Sequence, residues 1–273
     1  MATCKACQDP LVISLNPEDE IESGDEGGAG PSQEQGQTVP DDLELPCGCH
    51  YHWQCLLDQA TEVSVSLKCP SCGTYLPANA GVNAAGSAGP FFSPAPTTQA
   101  TFIPTRYTNE GGVQEGLDIF PVLTEEAYLA AHPEARPARA MHTMLAEGDV
   151  TGAIDVLVDI DSDGDTDGDA AQLLRWTDPL NGGRSALHVA IEAKQEEAFW
   201  LLLWLASGMG TDFFPPELTQ TAQALGLPRR AVPANEDIRF IRDESGRSPR
   251  QLLAEMGPPW SLYAEDALFP EAA

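Results

Sequence analysis

Residues 44–57, ELPCGCHYHWQCLL, bring five metal-type ligands into nine positions: Cys47, Cys49, His50, His52 and Cys55. Thiolate sulfur and imidazole nitrogen are the usual donors of zinc. A hydrophobic core has no use for such a cluster. A free cysteine packs well singly, but ligand-type side chains this close compete unless a cation binds them. Two more pairs frame the stretch, Cys4-x-x-Cys7 and Cys69-Pro-Ser-Cys72, and all seven cysteines of the 273 residues fall within the first 72. The start, MATCKACQDP, lacks the charged and apolar regions of a signal peptide. The longest strongly apolar run, AFWLLLWLASGMG, falls short of the ~20 residues that cross a bilayer. An intracellular protein is therefore expected, cytoplasmic or nuclear, not secreted and without a membrane partner. In that reducing setting clustered cysteines indicate metal rather than disulfides, and an odd count leaves one thiol over in any disulfide scheme.

Written out, the spacing is C-x2-C-x39-C-x1-C-x2-H-x2-C-x13-C-x2-C. Four short pairs supply eight ligands, enough for two tetrahedral zinc ions. His50 could replace Cys49 as a ligand, but thiolate is the stronger donor and would then sit idle beside a zinc. The pairs Cys4/Cys7, Cys47/Cys49, His52/Cys55 and Cys69/Cys72 resemble those of the RING finger. A PHD finger shares the ligand order but has a longer gap before its histidine. The resemblance implies a small cross-braced α+β finger with two structural zinc ions. Cys4, Cys7, His52 and Cys55 would hold one, and Cys47, Cys49, Cys69 and Cys72 the other.

Stepping outward from the ligands, the finger is expected over residues 1–77. LVISL, after Cys7, alternates as a short strand does. It leads into an acidic, Gly-rich insert at about 16–42 whose composition predicts disorder. CLLDQATEVS, from Cys55, predicts a short helix whose leucines fill the space between the ions. Residues 78–116 are rich in Ala, Gly, Pro, Ser and Thr without a sustained apolar face, which predicts a flexible linker.

Residues 117–273 are long enough to bury a core. Thr124 followed by Glu125 and Glu126 reads as a helix start. DPLNGGRSALHVAIEAKQEEAFWLLLWLASG, residues 178–208, combines a glycine turn, a short helix at 185–193 and an apolar helix at 196–206. DESGRSPRQLLAEMG, residues 243–257, repeats the turn and first helix, and residues 139–160 hold a degenerate copy with His142 and Gly148. These stretches resemble ankyrin repeats. The resemblance implies an all-α stack with an insertion at about 209–242, in which Ser185 and Ser248 cap helices and His188 bonds loop backbone. A catalytic Ser185/His188 pair is the reading this displaces. The helix at 124–131 and the tail around Trp260 are expected to cap the stack.

The Asp run DIDSDGDTDGD, residues 159–169, aligns with a calcium loop, but Ala170 stands where the bidentate Glu belongs and Thr166 where an apolar residue belongs. A solvated acidic loop is the simpler expectation. A net charge of −28 with only 14 basic residues excludes phosphate-backbone recognition and favours basic protein segments as partners. The RING resemblance implies a ubiquitin-protein ligase that positions a ubiquitin-loaded conjugating enzyme. With every cysteine assigned to zinc there is no thiol for a covalent intermediate, so no catalytic residue is expected. Trp53, Leu57, Pro70, Tyr75 and Leu76 are the candidate enzyme contacts, and the ankyrin-like part would recruit the substrate protein. Ala6, Gln59 and Gly73 depart from the family where it has an aliphatic, an aromatic and a basic residue. A non-enzymatic zinc-dependent adaptor joining two proteins is the alternative.

Overall fold

Alternating apolar residues after Cys7 form the first strand, β1 (Val12–Leu15), antiparallel to β2 (Gln37–Pro40). The computed structural model describes residues 2–15, 37–78, 101–162, 170–224, 227, 229 and 231–270. Most of the predicted acidic insert, residues 16–36, lies outside these. Its last part does not follow the expectation: residues 37–40 are β2, and Asp42–Glu44 is β3. β3 pairs with β4 (His50–Tyr51), which runs directly into α1 (Trp53–Leu57) and then α2 (Ala60–Ser66).

The linker assigned to 78–116 is overturned beyond residue 103. β5 (Pro104–Asn109) and β6 (Gly112–Asp118) form a hairpin, and β5 pairs with β3, giving a sheet ordered β4-β3-β5-β6. Its two-residue turn is Glu110–Gly111, with the Gly111 N–H bonded to the Asn109 side chain. The hairpin escapes a pattern reading because β5 alternates Thr105 and Tyr107 against Arg106 and Thr108, with no aliphatic residue to mark its inner face. The remaining linker residues, 79–100, lie outside the described residues.

α3 (Phe120–Ala131) begins four residues before Thr124. Asp118 starts it: its carboxylate accepts the N–H groups of Phe120 and of Ile103, at 3.1 and 3.0 Å. α3 falls in a different compact unit from the helices it was expected to cap. It packs on α2 in the first of two compact units, which divide between Ala131 and His132. The first unit's core joins Leu43, Leu56 and Val63 to Ile103, Ile119 and Leu123, all fully buried. The apolar residues of the presumed linker edge thus complete the first unit's core.

The second unit is mostly helical. α4 (Arg136–Glu147) packs on α5 (Val150–Ser162), followed by α6 (Ala170–Arg175). Strand β7 (Thr177–Asp178) and strand β8 (Arg184–Ser185) flank a glycine turn, then α7 (Ala186–Glu192) packs on α8 (Glu196–Ala206). Gly182 and Gly183 both have left-handed φ, +63° and +68°, which other residues adopt at a cost. The inserted segment supplies one helix, α9 (Pro216–Ala224), and α10 (Pro249–Met256) closes the series. α7 touches α4 on one side and α10 on the other. α8 is apolar nearly all round because it is central: Ala198, Phe199, Leu202 and Leu203 are buried, and Trp260 of the tail meets Phe199 edge-on at 5.7 Å.

Ser185 and His188 are fully buried and structural. His188 Nε2 donates to the Arg247 carbonyl at 3.1 Å, so Nδ1 accepts, taking the Ser185 hydroxyl at 2.8 Å. The pair ties the start of α7 to the turn before α10, where Ser248 caps by accepting the Gln251 N–H. A deep bond of this kind leaves no solvent-reachable nucleophile. Of the Asp run, residues 159–162 are the end of α5, and 163–169 lie outside the described residues.

His142, at the matching place on α4, has no such partner. Both ring nitrogens are buried and unbonded, and Trp176 meets the ring edge-on at 5.1 Å. Burial, with the nearby charge of Arg139, pushes its pKa down to about 3. The unfolded chain, with an ordinary histidine pKa of about 6.5, then binds the proton first. Stability is full above about pH 6.5 and falls as pH drops toward 3, by up to roughly 1.4 kcal/mol per pH unit from this group. His188, lowered by burial, acts in the same direction. The melting temperature of the second unit should therefore fall between pH 7.5 and 5, and His142→Leu should flatten that dependence. An unchanged slope in the variant would contradict the assignment.

Candidate metal centre

The two outer Cys-x-x-Cys segments fold into the same tight loop. The Gln8 N–H bonds the Cys4 carbonyl at 3.0 Å, and the Gly73 N–H bonds the Cys69 carbonyl at 2.8 Å. Gln8 and Gly73 occupy the left-handed region at φ 73° and 70°. Bridges Thr3↔Pro10 and Lys68↔Tyr75 close the loops behind them. Cys47 and Cys49 sit in a turn closed by the Leu45 N–H on the Cys49 carbonyl, 2.9 Å, which leads into β4. His52 and Cys55 lie at the start and within the first turn of α1, three residues apart and so on one face.

Packing brings the first pair to the third and the second to the fourth. The ligand atoms of Cys4, Cys7, His52 and Cys55 all lie within 4.8 Å of one another, as do those of Cys47, Cys49, Cys69 and Cys72. Each set can hold a metal ion. The imidazole is turned for it: His52 Nε2 donates to the Pro10 carbonyl at 2.9 Å, leaving the Nδ1 lone pair 3.3 Å from Cys7 Sγ and 3.7 Å from Cys55 Sγ. His50 belongs to neither set; its Nδ1 pairs with Asp42 at 2.7 Å.

Electrostatics also fit a cation. Burial and then neighbouring thiols push Cys49 and Cys55 up to about 12. Burial also acts upward on Cys4, but the backbone N–H groups of Cys7 and His52 outweigh it and hold Cys4 at about 7. The Thr74 hydroxyl and backbone hold Cys72 near 6. Each set thus holds an acidic sulfur beside one that burial, and then its neighbouring thiols, hold protonated. A divalent cation bound there would displace the protons.

Compared with family models, curated proteins and solved structures, the chain matches none. The site therefore stands on its own geometry.

The candidate partner contacts are divided by the fold. Tyr75 is 60% exposed, Pro70 and Leu57 are half-buried, and Trp53 packs on Tyr107 at 4.9 Å. Leu76 is withdrawn from the surface: at 2% exposure it belongs to the core. The Lys68↔Tyr75 bridge explains this, since in extended chain Tyr75 outward puts Leu76 inward. Among the described residues no helix is long and apolar enough to cross a membrane.

Sequence reasoning missed Asp41, hidden within the acidic insert. This buried carboxylate accepts the Trp53 N–H at 3.2 Å and the Tyr107 hydroxyl at 3.0 Å. It caps α1 through space and fastens the hairpin to the helix that carries Cys55. No local signal marks a cap twelve residues away.

Proposed function

We propose that the first unit is a RING-type finger holding two structural zinc ions, and that the chain is a ubiquitin-protein ligase of the scaffold type. The interleaving of the two four-ligand sets carries this reading. Zinc–sulfur bonds of about 2.3 Å in a tetrahedron require sulfurs about 3.8 Å apart, a spacing these sets reach with small adjustment. Three cysteines with one histidine, and four cysteines, are both closed structural sets with no position left for water. Zinc here shapes a surface and performs no chemistry.

All seven cysteines lie in the two sets, so no thiol is left to carry ubiquitin as a thioester. Catalysis is then positioning: the finger holds a ubiquitin-loaded conjugating enzyme in its reactive pose. Tyr75, Pro70 and Leu57 supply apolar contact. The second unit is read as an ankyrin-type stack that recruits the substrate. Its paired helices and the Ser185–His188–Arg247 tie support this. The net charge of −28 favours substrates with basic segments, in the cytoplasm or nucleus.

A second reading, a non-enzymatic adaptor, is favoured by the burial of Leu76 and the packing of Trp53 on Tyr107, which narrow the surface open to a conjugating enzyme. Incubation of the full chain with charged conjugating enzymes and free lysine separates the two. The ligase accelerates thioester discharge with at least one enzyme, and Tyr75→Ala slows it without releasing zinc. No acceleration across a broad panel would leave the adaptor.

A further inference from the structure

The hydroxyl of Tyr51 is buried where the two ligand sets come closest in sequence. Tyr51 is 1% exposed, and its backbone immediately precedes His52 of one set. Its side chain reaches the other. The Oη atom accepts the Ser71 N–H at 3.1 Å and lies 3.4 Å from Cys69 Sγ. A metal-bound thiolate carries no proton, so the hydroxyl, already accepting from Ser71, donates its own to the sulfur. Strand pairing fixes the ring in place, with Tyr51 opposite Leu43 and Leu43 opposite Tyr107 of the hairpin. We propose that Tyr51 is a positioning residue that orients Cys69 for the all-cysteine metal site.

The inference rests on the metal reading of the two sets. A hydrogen bond to a ligand pre-aims the donor atom and stabilises its charged form, and losing such a partner commonly weakens metal binding by 10–100-fold. Here the loss falls on one site. The three-cysteine, one-histidine site has its own outer bond, in which His52 Nε2 donates to the Pro10 carbonyl, and it does not touch the hydroxyl.

Cobalt(II) tests this in the full chain, because all-sulfur and sulfur–nitrogen sites have separable absorption bands. Under a competing chelator, Tyr51→Phe should release cobalt from the all-cysteine site at a roughly tenfold lower chelator concentration. The other site should keep its wild-type curve. Tyr107→Phe removes a hydroxyl bonded to Asp41 and to no ligand, and should not reproduce a loss confined to the all-cysteine site. Wild-type behaviour of Tyr51→Phe, equal weakening of both sites, or the same loss in Tyr107→Phe would overturn the proposal. A wild-type chain that takes up no cobalt would overturn the metal reading itself, and this proposal with it.

Discussion

Chelation of the metal is expected to unfold the first unit and leave the second folded. The first unit has a small core, and its two ligand sets draw on segments spread from Cys4 to Cys72. Neither set exists before the chain between them is in place, so binding and folding are one event. Structural zinc contributes on the order of 10–16 kcal/mol in small domains, more than such a core holds in reserve. The second unit draws its stability from a separate core around Phe199, Leu202, Leu203 and Trp204. With metal, thermal unfolding should show the transitions of both units. After excess chelator only that of the helical unit should remain, at an unchanged midpoint. Trp53, the first unit's only tryptophan, offers a local probe through its contact with Tyr107. Persistence of both transitions in chelator would show that the sets are not structural metal sites.

Truncation should be as severe. A fragment ending at residue 80 contains every cysteine, yet it lacks β5, β6 and α3. Without them β3 loses one of its two ladder partners, Asp41 loses the Tyr107 hydroxyl, and the apolar face of α2 loses Ile119 and Leu123. The fragment 1–80 is expected to aggregate or take up zinc without a unique fold, while 1–131 folds and holds two ions. Within the full chain, Leu123→Ala should cost about 2–5 kcal/mol in the first unit's stability, the range for emptying a buried leucine site. Zinc stoichiometry with amide exchange of the two fragments checks this. A well-folded 1–80 carrying two ions would contradict it.

The ligand positions were legible because cysteine is rare here and its spacing is a one-dimensional property. The tight loops around Cys4/Cys7 and Cys69/Cys72 need only local geometry, and β1 and the α1–α2 region followed from apolar spacing. The helices α4, α5, α7, α8 and α10 were readable in the same way, through glycine turns and caps such as Ser185 and Ser248, whereas α6 follows an acidic run that carries no helix signal. What failed was long-range. β5 shows only Thr and Tyr on its inner face, so nothing in its own residues announces that β3 is waiting for a partner. The Ala- and Gly-rich residues before it set the apparent character of the whole stretch. Leu76 looked like a surface residue because a bridge to Lys68, invisible in sequence, decides which of Tyr75 and Leu76 turns inward. Asp41 looked like one more acid in an acidic run, and its role as a buried cap exists only once β2, α1 and β5 have met.

The central claim is that eight side chains, four by four, hold two zinc ions. Native mass spectrometry of the full chain grown with zinc tests it most directly. The expected mass carries two ions; His52→Ala should lose one of them, and His50→Ala, whose ring pairs with Asp42, should keep both. A wild-type chain with one ion or none, or loss of an ion from His50→Ala with none lost from His52→Ala, would contradict it.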